Sequence, residues 1–598
     1  MPESPQSTYT TRMQNAEVAR DAANRRWSLL GNLRLGAALI VLVALWQSWA
    51  VREMPWMITA IVAAIAFVVL ALQQRSAREL RDRHEAMRAV NARSMTRLQH
   101  AWSDLPAPPD AHVDRTHPFA YDLNIVGEAS LTQRIGSPVT THGWKSLYAS
   151  LLDEETVVDM ESRQLAVIEL ADKLELRQRV EATAMDAIPA SEPLEKWAAA
   201  SSVLDRRSWL RGVGIIGPVV VIICAVIVAL GLAPWPILLI PITFNTIVFM
   251  SAGREAASVV AAAGAMREAA ASYRDIMAEI SDDSPTSPLL SRLDRELAGA
   301  SSAMRHLATM VNFSIPSASM LYFPMQMMLM WDVNVLNRLE NWRNHHGAHV
   351  PQWLAVMGEW EALAALSVLA HDHPEWTMPR IDPSNDGIRA TALAHPLLVS
   401  GMAVANDVTI APQGRFLFVT GSNMSGKSTL LRAIGVNVIL AQAGAPVAAA
   451  TLTMPPLQVS CCMRVEDSLA QGVSFFMAEL RRLKAVVDRA QSPDGRTPLY
   501  LLDEILQGTN TAERQIASRY VLLQLTNLPT LGAVSSHDLE LINDTSLEEV
   551  AIAVHFSEQF SREDDEPEMT FDYRLRPGLA TSSNAIRLME MIGFELPG

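Results

Sequence analysis

The stretch RFLFVTGSNMSGKST, residues 415–429, decides the fold of the C-terminal region of this 598-residue chain. Residues 415–420 have the apolar and aromatic composition of a buried strand, and residues 429–440 have a helical pattern. Residues 421–428 between them match G-x-x-x-x-G-K-[ST] in full. A strand, a glycine-rich loop and a helix in this order are typical of a phosphate-binding loop, in which backbone N–H groups surround phosphate oxygens. The pattern predicts an α/β nucleotide-binding domain.

The loop supplies most of the predicted ligands. Lys427 is expected to reach the β- and γ-phosphates, and the hydroxyl of Ser428 is expected to ligate Mg²⁺. The predicted cofactors are therefore ATP and Mg²⁺. The predicted ATP-binding residues are Gly421, Ser422, Asn423, Met424, Ser425, Gly426, Lys427, Ser428 and Thr429.

Two further strand ends carry candidate catalytic groups. The apolar run 499–502 ends in Asp503 and Glu504, of which Asp503 would hold Mg²⁺ and Glu504 would act as the general base on water. An acidic pair can also simply cap a strand. The run 531–534 leads to His537, which could sense or stabilise the γ-phosphate, although a single histidine can equally be structural.

The composition limits the functions open to the chain. Lys and Arg number 49 against 64 Asp and Glu, so the formal net charge is −15. This balance argues against a protein that coats nucleic acid by bulk electrostatics, although a local basic patch remains compatible with it. Three cysteines cannot build a disulfide framework, which favours a reducing compartment.

Two uncharged blocks predict four membrane spans. Residues 35–74 are interrupted only by Arg52 and Glu53, and residues 212–253 carry no charge at all. About 20 helical residues cross a bilayer, so each block is long enough for a hairpin, and Pro234 and Pro236 would break the second one. Pairs of buried core helices are the alternative interpretation.

Arginines indicate the orientation of these spans. Arginines lie before residue 35, between residues 74 and 212, and after residue 253. Only Arg52 lies in a predicted outer turn. The positive-inside rule then places both termini and the ATPase domain in the cytoplasm of an integral, multi-pass protein of the inner or cytoplasmic membrane. A fifth uncharged stretch, residues 307–331, contains Pro316 and Pro324, and we expect it to be a buried soluble segment whose methionine run 325–330 packs in the core.

The C-terminal motifs resemble those of the MutS family of mismatch-repair ATPases, which are related to ABC-transporter ATPases. The similarity includes the loop at 420–429, the Walker B segment and the loop after it at 503–511, and a signature loop at 467–479. It extends to the lead-in Ala394-His395-Pro396-Leu397 and to the closing segments Phe571-Asp572-Tyr573-Arg574-Leu575 and Ser583-Asn584-Ala585. Upstream, residues 122–170 resemble the start of the family's helical core, or lever, domain.

The resemblance implies a homodimer through the ATPase domains. Ser474 of the signature loop would then act in trans on the γ-phosphate held by the other subunit, whereas an ordinary helix N-cap is the alternative role for this serine. The predicted fold is an α/β P-loop ATPase domain of the MutS/ABC type, an all-α lever domain and four transmembrane helices in two hairpins. The predicted layout is an N-terminal cytoplasmic tail (1–34), hairpin 1 (35–74), a polar helix and linker (75–117), a first core segment (118–211), hairpin 2 (212–253), a second core segment (254–376) and the ATPase domain (377–598).

Departures from the family weaken a repair assignment. The mismatch-reading N-terminal domain has no counterpart in residues 1–117, Ser422 replaces the usual Pro, and Gln507 replaces an Arg. We therefore expect a membrane-anchored ATPase in which ATP closes the dimer and moves the lever, with a possible DNA-binding or mismatch-repair-related role. Besides lipid and DNA, an unknown protein partner is expected. The alternative is an ABC-like ATPase that acts mechanically on a membrane partner or in transport, without DNA.

Overall fold

A computed structural model of the chain describes residues 4–109, 113–152, 159–183, 191–399, 401–422, 424–463, 475–506, 510–542, 545–563 and 566–580. The chain folds as two compact units. The first comprises Met1–Met95, Ser137–Ser146 and Lys173–Ala362, and the second comprises Thr96–Gly136, Leu147–Asp172 and Leu363–Gly598.

Helices dominate the described residues. In chain order they are α1 (Pro5–Val51), α2 (Met54–Leu98), α3 (Leu131–Ile135), α4 (Thr141–Leu152), α5 (Met160–Asp172), α6 (Leu174–Thr183), α7 (Glu192–Ala199), α8 (Val203–Arg206), α9 (Trp209–Ala229), α10 (Leu239–Val248), α11 (Arg254–Ala265), α12 (Arg267–Ser281), α13 (Pro288–Glu296), α14 (Ala300–Val311), α15 (Tyr322–Leu329), α16 (Trp331–His346), α17 (Val350–Asp372), α18 (Lys427–Ala443), α19 (Phe475–Gln491), α20 (Thr511–Thr526) and α21 (Thr545–Glu548).

The described strands all lie in the second unit. They are β1 (Arg380–Ile381), β2 (Ile388–Leu393), β3 (Asn406–Ile410), β4 (Phe416–Thr420), β5 (Thr451–Met454), β6 (Leu457–Cys462), β7 (Thr497–Asp503), β8 (Leu531–Ser535), β9 (Ala551–His555), β10 (Glu558–Glu563), β11 (Glu566–Phe571) and β12 (Arg576–Pro577).

The first unit contains two long apolar hairpins. Helix α1 begins at Pro5, well inside the predicted N-terminal tail, and turns into α2 through Arg52, whose φ of 57° closes the helix. The second hairpin runs up α9 and returns through a short 3₁₀ turn at 235–238 into α10, as the two prolines predicted. By length and composition five described helices are long and apolar enough to cross a membrane: Pro5–Val51, Met54–Leu98, Trp209–Ala229, Trp235–Gly264 and Trp331–Asp372.

Burial separates the fifth of these helices from the others. The apolar window of Trp331–Asp372 is 83% buried inside the protein, whereas at most 33% of each other window is buried. The fifth window is therefore covered by protein, and the other four present most of their apolar side chains outward.

The stretch 307–331 differs from its prediction. It is not one helix and is only partly buried: Leu307, Val311 and Met330 are buried, but α14 ends at Val311, irregular turns follow, and α15 begins only at Tyr322. Several of its large apolar side chains are exposed, and Met328 within the methionine run is among them. The expectation of core packing is confirmed at Met330, which is fully buried, and wrong at Met328, because burial depends on neighbours that sequence periodicity does not reveal.

The second unit is built on a six-stranded sheet in the order β12-β9-β4-β8-β7-β6. The five strands from β9 to β6 are parallel, and β12 pairs antiparallel with β9. A four-stranded sheet of mixed direction, β1-β5-β2-β3, and the hairpin β10–β11 complete the described strands. The protein is thus mostly helical with mixed α/β sheets in its C-terminal region, as the coarse prediction required.

Residues upstream of the ATPase motifs also belong to this second unit. Asp122 accepts hydrogen bonds from Met463 N at 3.1 Å and from the Arg482 guanidinium at 2.8 Å. Arg163 donates through Nε to the Ala443 carbonyl at the end of α18. Through these contacts residues 96–136 and 147–172 belong to the second unit. The predicted boundaries instead assign them to the linker and the helical core.

The packing of Gly532 against Tyr500 gives a test of the central sheet. A Cβ atom at position 532 would lie 2.1 Å from Cζ of Tyr500, a buried ring on the neighbouring strand. We expect Gly532→Ala to destabilise the second unit by about 1–3 kcal/mol through overpacking. Thermal unfolding measures the loss, and the Gly532→Ala/Tyr500→Leu double variant should recover some of it. Wild-type stability of the single variant would contradict this packing.

Candidate nucleotide-binding site

The loop after β4 adopts a conformation that depends on two glycines. Gly421 has φ 141° and Gly426 has φ 105°, both in the region that disfavours side chains. A Cβ at Gly421 would also come within 3.0 Å of the Phe556 carbonyl oxygen. The loop then enters α18, a 17-residue helix whose first N–H groups have no intrahelical acceptor. This end of α18 favours a bound anion.

Lys427 is held inside this loop. Its Nζ donates to the carbonyl oxygens of Gly421 at 3.0 Å and Ser422 at 2.8 Å, and only 4% of the side chain is exposed. Burial lowers the pKa of Lys427, and the nearby carboxylate of Glu504, with Oε1 3.5 Å from Nζ, opposes that shift. The cation is thus fixed at the glycine loop rather than extended into solvent.

The predicted catalytic groups meet at the carboxyl edge of the sheet. Because β4, β8 and β7 are parallel and in register, their last residues lie side by side, with Asp503 opposite Ser535. Asp503 accepts a hydrogen bond from the Ser535 hydroxyl, and the N–H of Glu504 donates to the Ser535 carbonyl at 3.1 Å. Glu504 has φ 46°, an uncommon conformation for glutamate, at the point where the chain leaves β7.

His537 joins this group of side chains. Its Nε2 lies 2.7 Å from Glu504 Oε1 and 3.1 Å from Lys427 Nζ. The sequence left a purely structural role open for this histidine. Its contacts place it directly between the predicted base and the predicted phosphate-binding cation.

A cavity of about 490 Å³ adjoins these residues. Six residues of the predicted site line this cavity: Met424, Gly426, Lys427, Ser428, Thr429 and Glu504. The other lining residues, which motif analysis did not assign to the site, are Leu393, His395, Leu398, Met402, Ala403, Val404, Asn406, Leu430, Ala433, Phe556 and Tyr573. The phosphate-binding loop thus forms one wall of a pocket whose other walls come from distant segments.

Tyr573 is the most informative of the residues that sequence analysis missed. A Cβ at Gly426 would lie 3.2 Å from Cδ1 of its ring, so the ring packs directly over the loop. Asn406 fixes this segment by donating to the Tyr573 carbonyl at 3.0 Å and accepting from Leu575 N at 2.7 Å. The resemblance identifies residues 571–575 only as a closing segment, and no residue pattern indicates that they return to the loop.

His395 is the second missed residue. Burial lowers its pKa to about 4, with Arg432 and Arg134 adding to the shift, so the ring is neutral at physiological pH. A neutral imidazole and an aromatic ring suit a neutral heterocycle better than a phosphate.

The residues fit ATP and Mg²⁺ by their chemistry. Lys427 supplies the cation, Ser428 a hydroxyl and Asp503 a carboxylate, which is the sparse protein ligand set that Mg²⁺ uses when phosphates complete its shell. Among the residues that the structure describes, no group of three or more His, Cys, Asp or Glu could hold a metal by itself. Asn423 and Ser474, together with most of the signature loop, lie outside the described residues.

Comparison with known proteins finds relatives of this C-terminal domain. Residues 417–597 match MutS domain V. The chain is 31% identical over 263 residues to the DNA mismatch repair protein MSH6 of Arabidopsis thaliana, a match covering 41% of this chain and 20% of that protein. It is 34% identical over 245 residues to the DNA mismatch repair protein MutS 2 of Halobacterium salinarum, covering 40% and 27%. It is 31% identical over 255 residues to the DNA mismatch repair protein MutS of Oleidesulfovibrio alaskensis, covering 40% and 26%.

The extent of these matches defines what they show. The chain spans 20% to 27% of the length of these three relatives. The family match lies within the second unit and does not include the apolar hairpins. The domain match and the relatives together show that the C-terminal α/β domain of this chain is similar to the MutS family.

Proposed function

We propose that this chain is a Mg²⁺-dependent ATPase whose nucleotide site lies at the glycine loop before α18. The observation that carries the proposal is the convergence of Lys427, Glu504 and His537 at the carboxyl edge of the parallel sheet. Similarity to the MutS family supports the same activity.

Each residue has a task set by its position. Lys427 leaves the carbonyl oxygens of Gly421 and Ser422 for the more strongly charged phosphates, and the N-terminus of α18 adds its partial positive charge. Ser428 and Asp503 would hold a Mg²⁺ ion, which would neutralise developing charge on the phosphates. Glu504 accepts a proton from the attacking water, while His537 orients the Glu504 carboxylate. The ring of Tyr573 and the neutral His395 would take the adenine.

Two substitutions separate nucleotide binding from hydrolysis. Lys427→Ala should abolish nucleotide affinity, because the buried cation at the loop is removed. Glu504→Gln should keep affinity but slow turnover by roughly 10²–10⁴-fold, since the general base is lost. Steady-state ATP turnover and nucleotide affinity measure both effects. The exposed variants Lys484→Ala and Glu549→Gln are matched controls and should behave as wild type. Turnover at the wild-type rate in Glu504→Gln would remove Glu504 from its role.

We further propose that the two hairpins anchor the protein in a membrane. In α1, α2, α9 and the stretch Trp235–Gly264 that contains α10, the outward side chains are large and apolar over lengths sufficient to cross a bilayer. Water around so much exposed apolar surface is unfavourable, whereas lipid is not. The arginine distribution then places both termini and the ATPase domain on the cytoplasmic side.

Membrane anchoring has a direct test. The full-length protein should fractionate with membranes and resist alkaline extraction. Reporters fused before residue 35 and after residue 598 should both report cytoplasm, and labels at Arg52 and Trp235 should react from outside. Complete release of the protein at high pH, or an external C-terminal reporter, would contradict the proposed anchoring or its orientation.

We propose that the output of the ATPase is related to DNA mismatch repair, as the names of the matched relatives suggest. In this proposal a homodimer forms through the ATPase domains, Ser474 completes the partner's site, and ATP-driven closure moves the lever helices. An ABC-like engine for transport without DNA is not favoured, since the matched relatives are mismatch-repair proteins.

DNA binding by this chain should depend little on mismatches. Residues 5–98 form two long helices, which offer no compact domain for reading a mismatch, and the net charge of −15 supplies no broad attraction to phosphates. We expect matched and mismatched duplexes to differ by less than about tenfold in affinity, which corresponds to about 1.4 kcal/mol. Titrations of both duplexes at two salt concentrations measure this ratio. A larger preference would establish mismatch recognition.

A further inference from the structure

Helix α15, within the uncharged residues between Val311 and Trp331, has an inverted distribution of polarity. Helix α15 buries its polar side chains, Tyr322 and Gln326, against the protein, where the Tyr322 hydroxyl donates to Asp332 Oδ2 at 2.8 Å. The exposed apolar side chains belong to α15 and to the turns before it. The outward residues and their exposed fractions are Phe313 (45%), Met320 (96%), Leu321 (66%), Phe323 (60%) and Met328 (46%).

Part of the backbone of this segment is paired locally. The turns at 313–322 are closed by local hydrogen bonds, including Ser319 N to the Pro316 carbonyl at 2.9 Å and Tyr322 N to the Ser319 carbonyl at 3.0 Å. The indole N–H of Trp331 donates to the Phe313 carbonyl at 2.7 Å, and the guanidinium of Arg267 donates to Ser314 Oγ at 3.0 Å. Hydrocarbon offers no hydrogen bonds, so these local pairs lower the free-energy cost of placing the turns next to lipid.

The segment also lies against the second hairpin. Asn245 of α10 donates to the Met327 carbonyl at 3.1 Å, and Asn334, just after α15, donates to the Gly214 carbonyl near the start of α9 at 2.7 Å. The rings of Phe249 and Tyr322 meet edge to face at 6.4 Å. The apolar outer surface of α15 therefore continues that of α9 and α10, at the end of the hairpin that the arginines place on the cytoplasmic side.

We propose that residues 313–329 form a membrane-embedded interfacial segment, in which α15 enters the acyl-chain region of the cytoplasmic leaflet beside α9 and α10. The inference rests on the proposed membrane anchoring. Eight helical residues extend about 12 Å, so α15 penetrates one leaflet and does not cross a hydrocarbon core about 30 Å thick. Trp331 and Arg267 lie at its polar boundary, as such residues do at membrane interfaces. Lipid is the committed partner because the exposed surface is continuous with the surface of the proposed spans.

Depth-dependent fluorescence quenching tests the inference on the full-length protein in phosphatidylcholine/phosphatidylglycerol vesicles. In a Cys224→Ala background, where Cys461 and Cys462 are buried, a single Phe323→Cys is labelled with an environment-sensitive dye. Ile240→Cys on α10 is the control for lipid, and Ser302→Cys at an exposed position of α14 is the control for water. Retained ATP turnover shows that each labelled protein is folded.

Nitroxide-bearing lipid should quench the label at residue 323 to the same extent as the label at residue 240. Aqueous iodide should quench only the label at residue 302. Iodide quenching at 323 with lipid quenching at 240 would overturn the inference while leaving the anchoring intact. Protection of 323 from both quenchers would also overturn it, because a second copy or another protein would then cover the segment. Iodide quenching at 240 would refute the anchoring itself and the inference with it.

Discussion

The parallel register of β4, β8 and β7 is the constraint on which the candidate site depends. Strands that run in one direction end at one edge, and the pairing of Val419 and Asp503 with Ser535 aligns those ends to the residue. The loop before α18 and the acidic pair after β7 therefore meet although they are far apart in sequence. A shift of one residue in the pairing of β7 with β8 would turn the Asp503 side chain to the opposite face of the sheet, because neighbouring side chains of a strand face opposite sides.

Chain continuity explains which residues of the site the sequence could predict. Gly421 to Thr429 form one uninterrupted motif, so strand, loop and helix follow from local patterns, and Asp503 with Glu504 follows from a strand end. Tyr573 and His395 reach the same pocket from segments far away in sequence, and only tertiary packing brings them there. Their residue types carry no signal, since an isolated tyrosine or histidine occurs in many settings. For the same reason the sequence did not predict that residues 96–136 and 147–172 pack in the second unit.

The apolar segments of the chain show what hydropathy alone leaves undetermined. Hydropathy identifies apolar segments but not the medium that covers them. The window in Trp331–Asp372 is covered by protein, whereas α9 and α10 present similar side chains outward. Within residues 307–331 the expectation fails at α15, because its buried side chains are polar and its exposed ones apolar, an arrangement that average hydropathy does not distinguish from a core segment. Only the positions of Tyr322 and Gln326 against the protein reveal the inversion.

The pairing of Lys427 with Glu504 and His537 connects the energetics of the site to its chemistry. A buried ammonium needs compensation, which here comes from two carbonyl oxygens, an imidazole and a carboxylate. Phosphate oxygens carry more charge than these partners and compete for the same Nζ. A phosphate that took Lys427 from these acceptors would leave Glu504 in contact with His537, whose Nε2 lies 2.7 Å from Glu504 Oε1. The cation and the proposed general base are thus held in one group of contacts.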